Sequence, residues 1–294
     1  LPLHFRLETF GGLAVLDGVG KVVSTQRRRL ALLALIAASG RRGISRDKVL
    51  AYLWPESSTA NARHGLEQLL YGLRRQLGAS VFMGSDPLRL DQELLTSDVT
   101  EFDEAFERGD VTAAISLYRG PFLDGFHLGD SGEFERWAET ERTRLTQRYA
   151  TALEQRAHQA SQAGDQVAAV GHWRKLVALD PLSAHATLGL MNALAEAHET
   201  TEAIRHGRAY EALARADDTE PAAAVAALLS RLVGEESQRE PPASSSRTSA
   251  VAHAAETFDG EGDSAPRRSL LGSSRRAAAA GAAGLTVLLL ALGS

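Results

Sequence analysis

Asn61-Ala62-Arg63-His64-Gly65-Leu66-Glu67-Gln68-Leu69-Leu70-Tyr71-Gly72-Leu73-Arg74-Arg75-Gln76-Leu77 is the stretch on which the reading of this chain turns. Leu66, Leu69, Leu70, Leu73 and Leu77 recur at steps of three and four, which places them on one stripe of a helix. Asn61, His64, Gln68, Tyr71 and Arg75 fall on the opposite side, with Arg63 and Arg74 at the margins and Glu67 on one flank. That outer face carries donors, acceptors and a cation but no acid. It suits hydrogen bonding to base edges while its flanks neutralise phosphates. The same pattern also describes the solvated side of an ordinary core helix, so the flanking sequence has to decide.

Toward the N-terminus, Trp54-Pro55 closes a short helix predicted over Arg46 to Leu53, because proline lacks the amide donor and disfavours helix before it. Ser45 caps that helix, and Ser57-Ser58-Thr59 caps the one that follows. Before Gly40 and Gly43 comes a helix predicted from Gln26 to Ala38, capped by Ser24 or Thr25, with Leu30, Leu33, Ala34 and Ala37 inward. Earlier still, Leu3, Phe5 and Leu7 alternate with polar residues, Leu13 to Leu16 resumes after Gly11-Gly12, and Lys21 to Val23 returns after Asp17-Gly18. This predicts a small antiparallel sheet. Toward the C-terminus, Val81-Phe82-Met83, a Gly84-Ser85-Asp86-Pro87 turn and Leu88-Arg89-Leu90 make a hairpin with Arg89 near its tip.

A sheet, three helices and a hairpin in this order resemble the winged helix-turn-helix of the OmpR/PhoB type. The Ser45 start, the Leu53-Trp54-Pro55 stop and Leu73-Arg74-Arg75 late in the third helix carry the likeness. The resemblance implies that the third helix enters the major groove and the wing lies on the backbone or minor groove. Asn61, His64, Gln68 and Tyr71 would then face bases, and Arg63, Arg74, Arg75 and Arg89 would serve phosphates. Arg74 reads equally well as an internal salt-bridge partner. Gly72 stands where the family often has a base-contacting arginine, and Leu69 with Leu70 makes the helix more apolar than usual. Specificity would then rest on few direct contacts and on DNA shape.

Charge agrees with this division. Residues 1–99 hold thirteen Lys or Arg against nine Asp or Glu, and the remainder holds nineteen against twenty-eight. A basic head on an acidic body fits a nucleic-acid-facing module joined to something that avoids nucleic acid. With 294 residues and 44% hydrophobic content, the chain is large enough for two cores. The absence of cysteine excludes disulfides and thiolate metal sites. Leu1 to Leu7 lacks the apolar core of a secretory signal, and a start other than Met reads as a fragment edge.

From Ser97 onward the pattern is helical. Helices are predicted to start at Phe102 and Asp110, then over Glu133 to Ala163, Gln166 to Leu179, Ser183 to Ala197, Thr201 to Ala216 and Glu220 to Val233. Thirty-four residues separate Asp165 from Glu199, Ala169 from Ala203 and Leu179 from Leu213, a period that resembles tetratricopeptide repeats. Trp173 and Tyr210 are not in consensus places, and a plain helical bundle is the alternative. Stacked helix pairs of this kind form an array with a concave face. With Tyr118-Arg119-Gly120-Pro121-Phe122-Leu123 and Glu135-Arg136-Trp137 between the parts, the combination resembles the bacterial transcriptional activator domain behind an OmpR-like winged helix, the antibiotic-regulatory-protein type of activator. The resemblance covers roughly residues 3–235. It implies a mainly α fold, a cytoplasmic sequence-specific transcriptional activator with direct-repeat duplex DNA sites, a homodimer or larger assembly on DNA, and recruitment of RNA polymerase. It implies no cofactor, no metal and no enzymatic activity.

The expected organisation is a winged helix over 1–96, the activator domain over 97–235, a disordered linker over 236–276 and a possible transmembrane helix over 277–292. The linker is rich in Pro, Ser, Glu and Arg. Ala277 to Leu292 is uncharged and follows Arg267, Arg268, Arg275 and Arg276, which predicts a membrane anchor with its N-terminal side in the cytoplasm. At 1.5 Å per residue it reaches about 24 Å, short of the roughly 30 Å hydrocarbon core, as if the chain were cut before the span is complete. An alanine-rich disordered tail is the alternative.

Other constellations carry less. His127, Asp130 and Ser131 crowd together without the strand–turn–helix elbow of a hydrolase. His158, His172, His185 and His206 lie in different helices without metal-ligand spacing. Gly11-Gly12 reads as a bulge or turn, and Trp54, Trp137 and Trp173 as core or helix-crossing residues. The rival to a DNA-binding regulator is an interaction scaffold whose winged helix docks protein.

Overall fold

A computed structural model describes residues 4–23, 26–78 and 81–239. Strands β1 (Phe5–Glu8) and β2 (Ala14–Leu16) pair antiparallel, as their alternation predicts. The third member of this sheet is not Lys21 to Val23, which contributes only a bridge between Val22 and Leu16. It is Leu95–Ser97, which pairs with β1 in parallel, Phe5 beside Leu95 and Leu7 beside Ser97. A parallel partner so far along the chain has no turn to announce it.

Helices α1 (Arg27–Ala38), α2 (Arg46–Leu53) and α3 (Thr59–Leu77) follow β2. The N-cap of α1 is Gln26, not Ser24 or Thr25, and its side chain closes nothing. Every residue from Leu30 to Ala37 is buried, so α1 has no outer face over this run. It is wedged among α2, α3, the wing and the next domain, which explains why a one-sided inward set understates it. Ser45 and Ser58 accept from the amides of Lys48 and Asn61, as capping predicts. The wing is β3 (Phe82–Met83) paired with β4 (Arg89–Leu90), and Leu95–Ser97 is β5.

The helical region comprises α4 (Asp98–Glu107), α5 (Val111–Leu117), α6 (Gly132–Gln162), α7 (Gln166–Leu179), α8 (Ala184–Glu196), α9 (Thr200–Ala216) and α10 (Ala223–Arg239). From α6 to α10 each helix packs on the next. The turns repeat one device. The amides of Asp110, Asp165, Glu199 and Thr219 each bond back to the carbonyl five residues earlier, at Ala105, Ala160, Leu194 and Ala214. Each of these residues is preceded by one with a left-handed backbone: Gly109, Gly164, His198 and Asp218. This is the helix-closing turn that satisfies the last carbonyls. It shows α4–α5 to be built like the later pairs, a unit that the thirty-four-residue period missed because residues 118–131 interrupt the spacing. Trp173 lies across the backbone of Gly189, where any side chain would collide with its ring. It is a helix-crossing residue, as its sequence context suggests.

The two regions share one core. The buried Asp98 carboxylate accepts from the Thr9 hydroxyl at 2.6 Å and from the amides of Thr9, Phe10 and Val99. Burial pushes this carboxyl above its ordinary range, and those hydrogen bonds draw it part of the way back. Phe10 packs against Phe102, Tyr118 and Phe122, and Leu123 donates its amide to the Thr9 carbonyl at 2.8 Å. α10 runs to Arg239, past the residues where composition turns polar, so the predicted linker start at 236 falls inside a helix. The rest of that linker and Ala277 to Leu292 lie outside the described residues. Among the described residues no helix is long and apolar enough to cross a membrane.

Candidate nucleic-acid interface

α3 buries Ala62, Leu66, Leu70, Leu73 and Leu77 and leaves its opposite side open. Leu69 is only partly buried. Asn61, His64, Gln68 and Tyr71 are all exposed, Tyr71 by 63%. His64 and Gln68, one turn apart, are joined by a 2.9 Å hydrogen bond between the imidazole Nε2 and the amide nitrogen. That bond leaves the amide oxygen and its second proton as an acceptor and a donor. Arg63, Arg74, Arg75 and Arg89 are exposed and form no ion pair among the described residues. Arg74 therefore has no salt-bridge partner among the described residues.

Glu67 is the one carboxylate of α3, and it is held by Arg46 of α2. Arg46 also donates from Nε to the Ser85 carbonyl at 2.7 Å, and its amide meets the Asp86 carboxylate at 3.1 Å. One side chain thus neutralises the acid nearest the open face and ties the wing tip to α2 and α3. Arg89 belongs to the pair of the wing that is next to its turn. It stands in β4 opposite Met83, and its stem packs over Gly43, where a Cβ would lie 2.5 Å away. It lines a cleft of about 490 Å3 together with Ile36, Ala37, Met83, Leu90 and Arg41.

The other flank of α3 is set by two glycines seven residues apart. At Gly65 a Cβ would sit 2.9 Å from the Trp54 ring. At Gly72 it would meet the guanidinium of Arg29, which donates to Gln76 Oε1 at 2.9 Å. Gly72 is thus not a vacancy in a row of base contacts; it is the seat of an arginine from α1. The sequence reading missed Arg29, Arg46 and Trp54 as supports. Two glycines in a helix interior, each costing stability relative to alanine, were the available signal.

Residues set aside on sequence grounds have structural posts. Ser131 is 2% exposed and caps α6, accepting from the Phe134 amide while donating to the Tyr52 carbonyl at the end of α2. His158 and His185 flank the Trp173 ring and both approach Glu154.

Comparison with known proteins bears on both halves. Residues 93–233 match the family described as bacterial transcriptional activator domain. No curated protein matches the chain. Among solved structures, Mycobacterium tuberculosis EmbR in complex with a low affinity phosphopeptide is similar to it, with a TM-score of 0.58 and 23% identity. The match covers 80% of this chain and 65% of that one, and at this identity it establishes the shared fold. Residues 93–233 are thus similar to the bacterial transcriptional activator domain, and the fold of a winged helix followed by a helical array is shared with the solved neighbour.

Proposed function

We propose that this protein is a sequence-specific DNA-binding transcriptional activator that reads the major groove with α3. The observation that carries this reading is the open face itself. Asn61, His64, Gln68 and Tyr71 are exposed together, unpaired arginines flank them, and the nearest acid is neutralised by Arg46. In this reading those four side chains meet base edges. Arg63, Arg74 and Arg75 meet phosphates, and Arg89 serves the backbone from the strand of the wing. Two copies would occupy direct-repeat sites. The repeat array would meet RNA polymerase, for which the exposed Leu179, Leu182 and Leu213 supply apolar contact. Residues 1–96 and 97–235 are the two working modules.

The test is a mobility shift on the region upstream of the protein's own operon, comparing the wild type with Gln68→Ala plus Tyr71→Ala. Loss of binding in the double variant is expected, together with steep weakening by salt in the wild type. Equal binding by both at physiological salt removes α3 as the reading helix. The scaffold reading would gain if the chain bound no genomic fragment yet held a protein through residues 100–235. The membrane tether of the otherwise cytoplasmic regulator rests on the sequence of Ala277 to Leu292, and a full-length protein found wholly in the soluble fraction rejects it.

A further inference from the structure

We infer that Arg28 and Trp54 are positioning residues that transmit the seating of the activator domain to the DNA-reading helix. The inference rests on the assignment of α3 as that helix. The contacts form a continuous path. Asp130, in the loop that precedes α6, pairs with the guanidinium of Arg28 in the first turn of α1. The same guanidinium lies over the Trp54 ring, 5.7 Å from its centroid. The Cζ2, Cε2 and Nε1 atoms of that ring close on Gly65 of α3. Nothing on the path touches the open face, yet its last member fixes how one end of α3 is presented.

Three features argue that the loop is held for this purpose. The Nε of Arg28 is buried without a hydrogen-bond partner, a cost accepted to keep the guanidinium between Asp130 and Trp54. The loop is pinned on its other side by Glu135, which accepts from the Leu128 amide at 2.6 Å and meets His127 Nδ1 at 3.1 Å. Arg27, next to Arg28, reaches the His127 carbonyl at 3.2 Å and lies over Phe126. A partner that shifts the start of α6 would thus move two arginines of α1 and, through Trp54, the reading helix.

Asp130 is the point to test, because its side chain is 62% exposed and an ion pair so placed adds little to stability. Asp130→Asn also removes a negative charge, so long-range electrostatics alone would tighten DNA binding. The path predicts the opposite sign: affinity of the full chain for the duplex used above falls about two- to fivefold, the limit set by an exposed ion pair. The Trp54 indole N–H resonance, assigned with Trp54→Phe, should shift in Asp130→Asn while the melting temperature stays near that of the wild type. Unchanged or tighter binding, or an unmoved indole resonance, overturns the inference. Gln68→Ala plus Tyr71→Ala separates the two levels. If that control loses binding while Asp130→Asn keeps it, the path alone fails; if neither variant changes binding, the reading-helix assignment fails and takes the path with it.

Discussion

Gly65 and Gly72 look alike in sequence but differ in what a methyl group would displace. At Gly72 the obstacle is the far end of Arg29, a flexible side chain with solvent at hand; at Gly65 it is the ring of Trp54, held between α3 and Arg28. Alanine is better than glycine in a helix by up to about 1 kcal/mol. Gly72→Ala should therefore be neutral or stabilising, with Arg29 moving aside. Gly65→Ala should lose that gain to overpacking, which typically costs about 1–3 kcal/mol. Urea denaturation of the two variants checks the order. At this scale the sequence was informative about which side chains of α3 face out, because a helix repeats every 3.6 residues. It was silent about Arg46, whose partners Glu67, Ser85 and Asp86 come from two other elements.

Among the elements, α2 and the wing are joined to α3 through Arg46, and this separates two kinds of arginine. Arg75 stands free on the open face, whereas Arg46 is occupied within the protein. Arg75→Ala should lower the slope of log affinity against log salt by about one, the signature of one lost phosphate contact. Arg46→Ala should weaken binding severalfold without changing that slope, since it releases Glu67 and the wing but vacates no phosphate. Binding titrations at several salt concentrations distinguish them. Helices with a side-chain cap and a glycine or proline stop were readable to within a residue or two: α2 between Ser45 and Trp54, α7 between Asp165 and Asp180. β5 was not, because three residues with no turn nearby acquire their identity only from β1.

For the whole molecule, the repeat period has a chemical counterpart in His172 and His206. They stand thirty-four residues apart, on α7 and α9, and burial holds both imidazoles below their ordinary pKa. Lys175 and Arg156 press in the same direction on His172, as do Arg205 and Arg174 on His206; Asp165 and Glu202 oppose them. A folded-state pKa below the unfolded one means stability that is full above the ordinary imidazole value of 6.5 and is lost as pH falls through the depressed value. The thermal midpoint of the helical signal should therefore drop between pH 7 and pH 5. His172→Gln plus His206→Gln should make that drop shallower.

The parallel pairing of β1 with β5 has a consequence for where the chain can be divided. The matched activator domain begins at residue 93, two residues before the strand that flanks β1 on one side, and Asp98, just beyond that strand, holds the end of β1 by its carboxylate. A fragment ending at that family boundary would leave the winged-helix half with an open, sticky strand edge. Residues 1–92 made alone should therefore self-associate, and extending them through Ser97 and Asp98 should relieve it.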